Sequence, residues 1–102
     1  MPLSEKIELS KIDSNKGYFF ESDVFKDEIL VYFNDGNFFA VSSFCPHFGG
    51  PLELTSKDIR CYWHGWRFDL KSQKCINRDV NCRLKNYRVE IQDNFIEIFY
   101  GD

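Results

Sequence analysis

A chain of 102 residues with a net charge of −3 is expected to fold as a single domain spanning 1–102, and it lacks the basic surplus that drives binding to nucleic acid. Aromatic residues make up 18% of the chain, eleven of them phenylalanine, which favours a core between β-sheets over a Leu/Ala helical bundle. No apolar run approaches a membrane span, and Met-Pro-Leu-Ser-Glu-Lys lacks the apolar stretch of a secretory signal, so a cytoplasmic chain with no membrane partner is expected. In that compartment four cysteines read as ligands or thiols before they read as a disulfide framework. The charge is uneven: residues 1–44 carry −4 and residues 45–102 carry +1, an acidic face suited to solubility or to steering a cationic protein.

Helical periodicity is hard to find, and apolar residues alternate or fall in short runs bounded by Asn, Asp, Gly or Lys. Lys6 to Leu9 reads as a first strand, Ser10 to Asn15 as a place for one turn, and Gly17 to Glu21 as a second strand. Glu28 to Phe33 and Asn37 to Val41 flank Asn34-Asp35-Gly36, a tight-turn signal, and form a hairpin. Asp58 to Cys61 reads as a strand, and Trp66 to Leu70 as another, followed by a turn at Lys71-Ser72-Gln73. Cys75-Ile76 continues as a hairpin partner, and polar Asn77 to Asn86 reads as loop. Tyr87, Val89 and Ile91 alternate with polar residues, turn at Asp93-Asn94 and return as Phe95 to Tyr100. Closely spaced strands without crossover helices predict an all-β fold, a small antiparallel sandwich or barrel.

The chemistry is concentrated between residues 45 and 66. Cys45-Pro46-His47-Phe48-Gly49-Gly50-Pro51 and Cys61-Tyr62-Trp63-His64-Gly65-Trp66 each offer one thiolate and one imidazole, as C-x-H and C-x2-H. Both histidines of the chain are here. Four readings compete for Cys45, His47, Cys61 and His64. They are unrelated core or surface residues; they bind a structural zinc; they bind a [2Fe–2S] cluster with His₂ replacing Cys₂ on one iron; or they form a cysteine–histidine nucleophile. Common zinc sites pair Cys with Cys and His with His. Alternation suits the cluster, because each loop then grips both irons.

These two boxes, with Leu52 after the first and Arg67-Phe68-Asp69 after the second, resemble the cluster-binding boxes of Rieske-type [2Fe–2S] proteins. The strand order around them is also similar to that of the family's small ferredoxins. The resemblance implies one [2Fe–2S] cluster on loops at about 44–52 and 60–68, with Cys45 and Cys61 on one iron and His47 and His64 on the other, near the tip. It implies a one-electron carrier with no bond-making step of its own, serving a flavin-dependent NAD(P)H reductase and a terminal oxygenase. The alternatives are a subunit of another redox complex, of nitrite-reductase small-subunit type, and a redox-inert zinc-binding interaction module. The chain itself cannot be the oxygenase, since no histidine remains for a mononuclear iron.

Departures from the family pattern sharpen this. High-potential members carry an extra Cys in each box, joined as a disulfide; Gly50 and Trp63 stand at those offsets here. Those members also place Ser and Tyr hydroxyls two and four residues after the second His, where this chain has Trp66 and Phe68. Fewer donors to the cluster place the potential toward the low end of the Rieske range, roughly −150 mV. The family's proline-rich third loop has no counterpart, so Asp79-Val80-Asn81-Cys82 must shield the cluster. Cys75 and Cys82 are read as thiols, with a disulfide as the sharper alternative. Phe48, Trp63 and Trp66 either dock a partner or wall off the cluster, and Arg67 and Lys71 are either solvated or meet an acidic partner.

Overall fold

The computed structural model of the protein describes residues 3–43, 51–62, 65–77 and 82–99. Nine strands are present among them: β1 (Ser4–Glu8), β2 (Tyr18–Ser22), β3 (Asp27–Asn34), β4 (Asn37–Ser42), β5 (Leu52–Leu54), β6 (Ile59–Cys61), β7 (Arg67–Phe68), β8 (Asn86–Gln92) and β9 (Phe95–Phe99). Six form one antiparallel sheet in the order β1-β9-β8-β4-β3-β2, and β5-β6-β7 form a smaller sheet. The all-β architecture follows the alternation in the sequence. A single 3₁₀ turn at Leu9–Lys11 is the helical element among the described residues.

β3 explains how the two sheets share a core. Ile29, Leu30, Val31 and Tyr32 are all fully buried, so an unbroken apolar run is buried on both faces. Ile29 and Val31 join Ile7, Phe25, Ala40, Tyr87, Ile96 and Ile98 on one face of the large sheet. Leu30 and Tyr32 point the other way, into a cluster with Val41, Leu52, Ile59, Cys61, Phe68 and Leu84. The second cluster fastens the small sheet to the large one.

Turn chemistry sets the register. Asp35 (φ 51°) and Gly36 (φ 84°) both take positive φ between β3 and β4, the two-residue turn that Asn34-Asp35-Gly36 specifies, and Asn34 pairs with Asn37 across it. Gly17 is a stricter requirement. At φ +71° its missing Cβ would lie 2.8 Å from both the Leu30 Cδ1 and the Val31 carbonyl oxygen. Gly17→Ala is therefore expected to destabilise the fold by about 2–4 kcal/mol, measured by urea unfolding, since a backbone oxygen cannot swing aside.

The structure revises several sequence expectations. β1 ends at Glu8, because Leu9 turns into the 3₁₀ segment and donates its N–H to the Asn94 carbonyl. Trp66 to Leu70 is a strand only at Arg67–Phe68. Asp69 stops it, accepting the N–H groups of Lys71 and Ser72 on Oδ2 at 3.0 and 2.7 Å. Asn77 to Asn86 is not all loop: Arg83 bridges Lys74 and Asn86 opens β8. β5 was missed because three residues carry too little alternation to register.

Candidate metal centre

Of the four predicted ligands, Cys61 lies among the described residues; Cys45, His47 and His64, with Phe48, Gly50 and Trp63, lie outside them. Cys61 ends β6 and is fully buried, in the cluster with Leu52, Ile59 and Phe68. The described flanks of the two boxes meet. Leu52, just past the first box, pairs with Cys61, and the Tyr62 N–H donates to the Pro51 carbonyl at 3.1 Å. The Leu52 N–H donates to the Ser43 carbonyl at 3.2 Å, which joins the two ends of the first box segment. Strand pairing thus brings the described flanks of both boxes together at one end of the small sheet.

Backbone hydrogen bonds join the two described ends of the second box. The Cys61 N–H donates to the Trp66 carbonyl at 2.7 Å, and the Gly65 N–H donates to the Cys61 carbonyl at 2.9 Å. Gly65 takes φ +69°, so glycine suits the position without any crowding argument. Asn77 then clamps the turn from outside: its Nδ2 donates to the Gly65 carbonyl and its Oδ1 accepts the Arg67 N–H, both at 2.8 Å. Sequence reasoning missed Asn77, and an asparagine in a polar stretch carries no signal for this role. The strands reach into the expected 60–68 stretch: Arg60 pairs with Arg67, Ile59 with Phe68, and Cys61 ends β6.

A polar network ties this subdomain to β3. The Tyr32 Oη donates to the Leu70 carbonyl at 2.6 Å and accepts from Gln73 Nε2 at 2.9 Å. Gln73 Nε2 also reaches the Lys71 carbonyl, and its Oε1 accepts from Asn86 Nδ2 at 3.2 Å. Burial pushes the Tyr32 phenol up to about 12, against the lowering effect of the Gln73 hydrogen bond. The Asp69 carboxyl is held below its ordinary value, first by the Ser72 N–H and then, against burial, by the Lys71 N–H.

Trp66 packs partly buried against the Cys61 cluster, and Phe68 is fully buried in it; these are walls, and neither brings a hydroxyl. Cys75 and Cys82 carry no disulfide. The Cys75 N–H donates to the Cys82 carbonyl at 3.0 Å, and both side chains pack against the same cluster. Among the described residues no three Cys, His, Asp or Glu side chains gather into a second metal site. Nor is any helix among them long and apolar enough to cross a membrane.

A curled antiparallel sheet carrying a small sheet from which two Cys/His segments spring defines a class, that of the iron–sulfur Rieske fold. The chain belongs to the Rieske [2Fe–2S] domain family, whose model matches residues 5–88. The cofactor of that domain is one Rieske-type [2Fe–2S] cluster. Among curated relatives, apoptosis-inducing factor 3 of Mus musculus is 32% identical over 89 residues, 84% of this chain and 15% of that protein. The chain spans less than a fifth of the length of the curated relatives it matches, 19% in the case of cholesterol 7-desaturase nvd of Hemicentrotus pulcherrimus. Among solved structures, a ferredoxin from Sphingomonas yanoikuyae B1 superposes with a TM-score of 0.76 at 20% identity, covering 90% of this chain and 92% of that one. A nitrite reductase (NADPH) small-subunit protein superposes with a TM-score of 0.68 at 19% identity, covering 94% and 97%. At these identities the likeness is one of fold.

Proposed function

We propose that the chain is a Rieske-type ferredoxin, a cytoplasmic one-electron carrier that takes electrons from a flavin-dependent NAD(P)H reductase and delivers them to a terminal oxygenase. Cys45 and Cys61 would hold one iron and His47 and His64 the other. The observation that carries this reading is the convergence of the two box flanks on the buried Cys61 thiol, through the Leu52–Cys61 pair and the Tyr62–Pro51 hydrogen bond. When bound, the cluster supplies reversible one-electron transfer.

The chain's own residues supply position and environment. The backbone hydrogen bonds of Cys61 and Gly65, with the Asn77 clamp, hold the flanks of the second box in place. Leu52, Ile59 and Phe68 exclude water around the Cys61 sulfur. Without a hydroxyl on Trp66 or Phe68, the reduced and more negative state receives little extra stabilisation, which places the potential toward roughly −150 mV. Phe68→Tyr is expected to raise the midpoint in voltammetry of the loaded protein, through an added O–H donor; an unchanged midpoint with the hydroxyl accommodated would remove Phe68 from the set of tuning residues.

Spectroelectrochemical titration tests the function. A single one-electron transition at the low end of the Rieske range fits service to an oxygenase, whereas a midpoint near the top, about +300 mV, would contradict it. The fold likeness to a nitrite reductase small subunit favours a second reading, an accessory electron-transfer subunit. Binding assays separate the two, because an accessory subunit stays bound to its enzyme through turnover and a shuttle dissociates.

A further inference from the structure

The backbone ladders extend the small sheet beyond β7. Phe68 bridges Cys75 and Lys74 bridges Arg83, so segments 74–75 and 82–83 add two short antiparallel rungs. Ile59 and Phe68 in this array are fully buried, with Cys75 and Cys82 packed against the same cluster. The alternate positions face outward, and there Arg60 stands directly opposite Arg67, and Lys74 directly opposite Arg83. Hydrogen bonds flank the Lys74–Arg83 pair on both sides, Cys75 N–H to Cys82 O and Leu84 N–H to Gln73 O, which makes it a narrow pair with closely approaching side chains.

Like charges placed directly across a sheet are destabilising, and this face does so twice. All four cations are exposed. Arg67 lies 3.7 Å from the Asp58 carboxylate, while Arg60, Lys74 and Arg83 take part in neither of the ion pairs found among the described residues. Glu53, directly opposite Arg60 on its other side, shares the face and offsets it only in part. Two exposed apolar side chains stand by these cations: Tyr62 at 72% exposure, next to Cys61, and Ile76 at 55%, next to Arg67 across the ladder. The same division appears in the sequence: residues 51–85 hold eight Lys/Arg and four Asp/Glu, or +4, leaving −7 on the rest of a chain whose total is −3.

We propose that this outward face is the docking surface for a redox partner that presents an acidic patch, with Arg60, Arg67, Lys74 and Arg83 meeting carboxylates and Tyr62 and Ile76 forming the apolar centre. Aromatic and arginine side chains dominate interfaces of this kind, and a dipolar carrier arrives with its basic end forward. The inference rests on the electron-carrier reading and adds the charge of the partner.

Outer-sphere electron transfer tests it without knowing the partner. The reduced, loaded protein is mixed with hexacyanoferrate(III), which takes one electron and becomes hexacyanoferrate(II), or with cationic tris(phenanthroline)cobalt(III). Despite the net charge of −3, the hexacyanoferrate rate is expected to fall roughly tenfold as ionic strength rises from about 0.01 to 1 M, and the cobalt rate to rise. Arg60→Glu/Arg67→Glu and, separately, Lys74→Glu/Arg83→Glu should flatten or reverse both trends, while Lys11→Glu/Lys16→Glu leaves them in place. An oligoglutamate peptide at low salt should slow the hexacyanoferrate reaction of the wild type only. Rates that follow the net charge, or variants that change nothing, would overturn the proposal. Self-association at low salt would assign the face to the acidic strands of a second copy and overturn it as well. A protein that cannot be loaded with cluster would sink the carrier reading itself, a result distinct from a loaded protein with the wrong salt dependence.

Discussion

Cys61→Ser is expected to yield a colourless protein, whereas Cys75→Ser and Cys82→Ser keep the visible spectrum of the loaded wild type. The three thiols differ in where the fold puts them. Cys61 ends β6, fully buried, beside the point where the first box re-enters the sheet at Pro51 and Leu52. A serine there offers no thiolate and leaves a hydroxyl among Leu52, Ile59 and Phe68, so the variant should also lose about 1–3 kcal/mol of stability. Cys75 and Cys82 face each other across a rung two strands away, partly exposed, and their loss removes only modest packing. Absorption spectra with iron and sulfide assays on the three variants check this. A coloured Cys61→Ser protein, or bleached Cys75→Ser and Cys82→Ser proteins, would reassign the ligands.

The second large effect is expected at Gln73. Its side chain is buried and joins the Tyr32 hydroxyl, the Leu70 and Lys71 carbonyls and the Asn86 amide, so it bolts the small sheet's turn to β3 and to the start of β8. Gln73→Leu keeps the volume and strips every one of these side-chain bonds; the Tyr32 hydroxyl keeps its bond to the Leu70 carbonyl but loses the buried donor it accepts from. The residue sits at φ +60°, a strain that glutamine already carries and leucine would share, so the expected loss comes from the hydrogen bonds. A loss of about 3 kcal/mol is expected, read as a lower midpoint in urea and a fall in Tm of roughly 4–8 °C per kcal/mol.

Tyr32 adds a pH signature to the same network. Its phenol titrates near 10 when exposed and about 12 in the fold, so the folded state keeps the proton to higher pH than the unfolded chain. That contribution is complete below pH 10 and is lost as pH rises toward 12. Tyr32→Phe should flatten this part of the stability profile in equilibrium unfolding between those limits, while a profile identical to wild type would place the alkaline loss elsewhere.

Legibility in the sequence tracked how locally each feature is determined. The β3–β4 and β8–β9 hairpins were readable because their turns and alternation lie within one stretch of chain. β3 was readable as a strand, but the reason for its unbroken Ile29–Tyr32 run appeared only when the small sheet was seen on its second face. The extent of β7 depended on the Asp69 side chain capturing two N–H groups, and the rung at Arg83 on pairing with Lys74; both are choices the backbone makes in three dimensions. For the site, the residue types and spacing of the two boxes were visible at once. The convergence of their flanks needed the Leu52–Cys61 register, and the Asn77 clamp came from a residue with no motif around it. In the sequence Gly17 reads as the start of a strand; its proximity to Leu30 and Val31, which forbids a side chain, is a tertiary fact.

Whether Cys45, His47, Cys61 and His64 hold a Rieske-type cluster is decided by electron paramagnetic resonance on the dithionite-reduced protein after anaerobic iron–sulfur reconstitution. The expected result is a red-brown protein with the iron and sulfide of one [2Fe–2S] cluster per chain and a rhombic signal that His64→Ala abolishes or alters. A colourless protein holding stoichiometric zinc, silent after reduction, would contradict it.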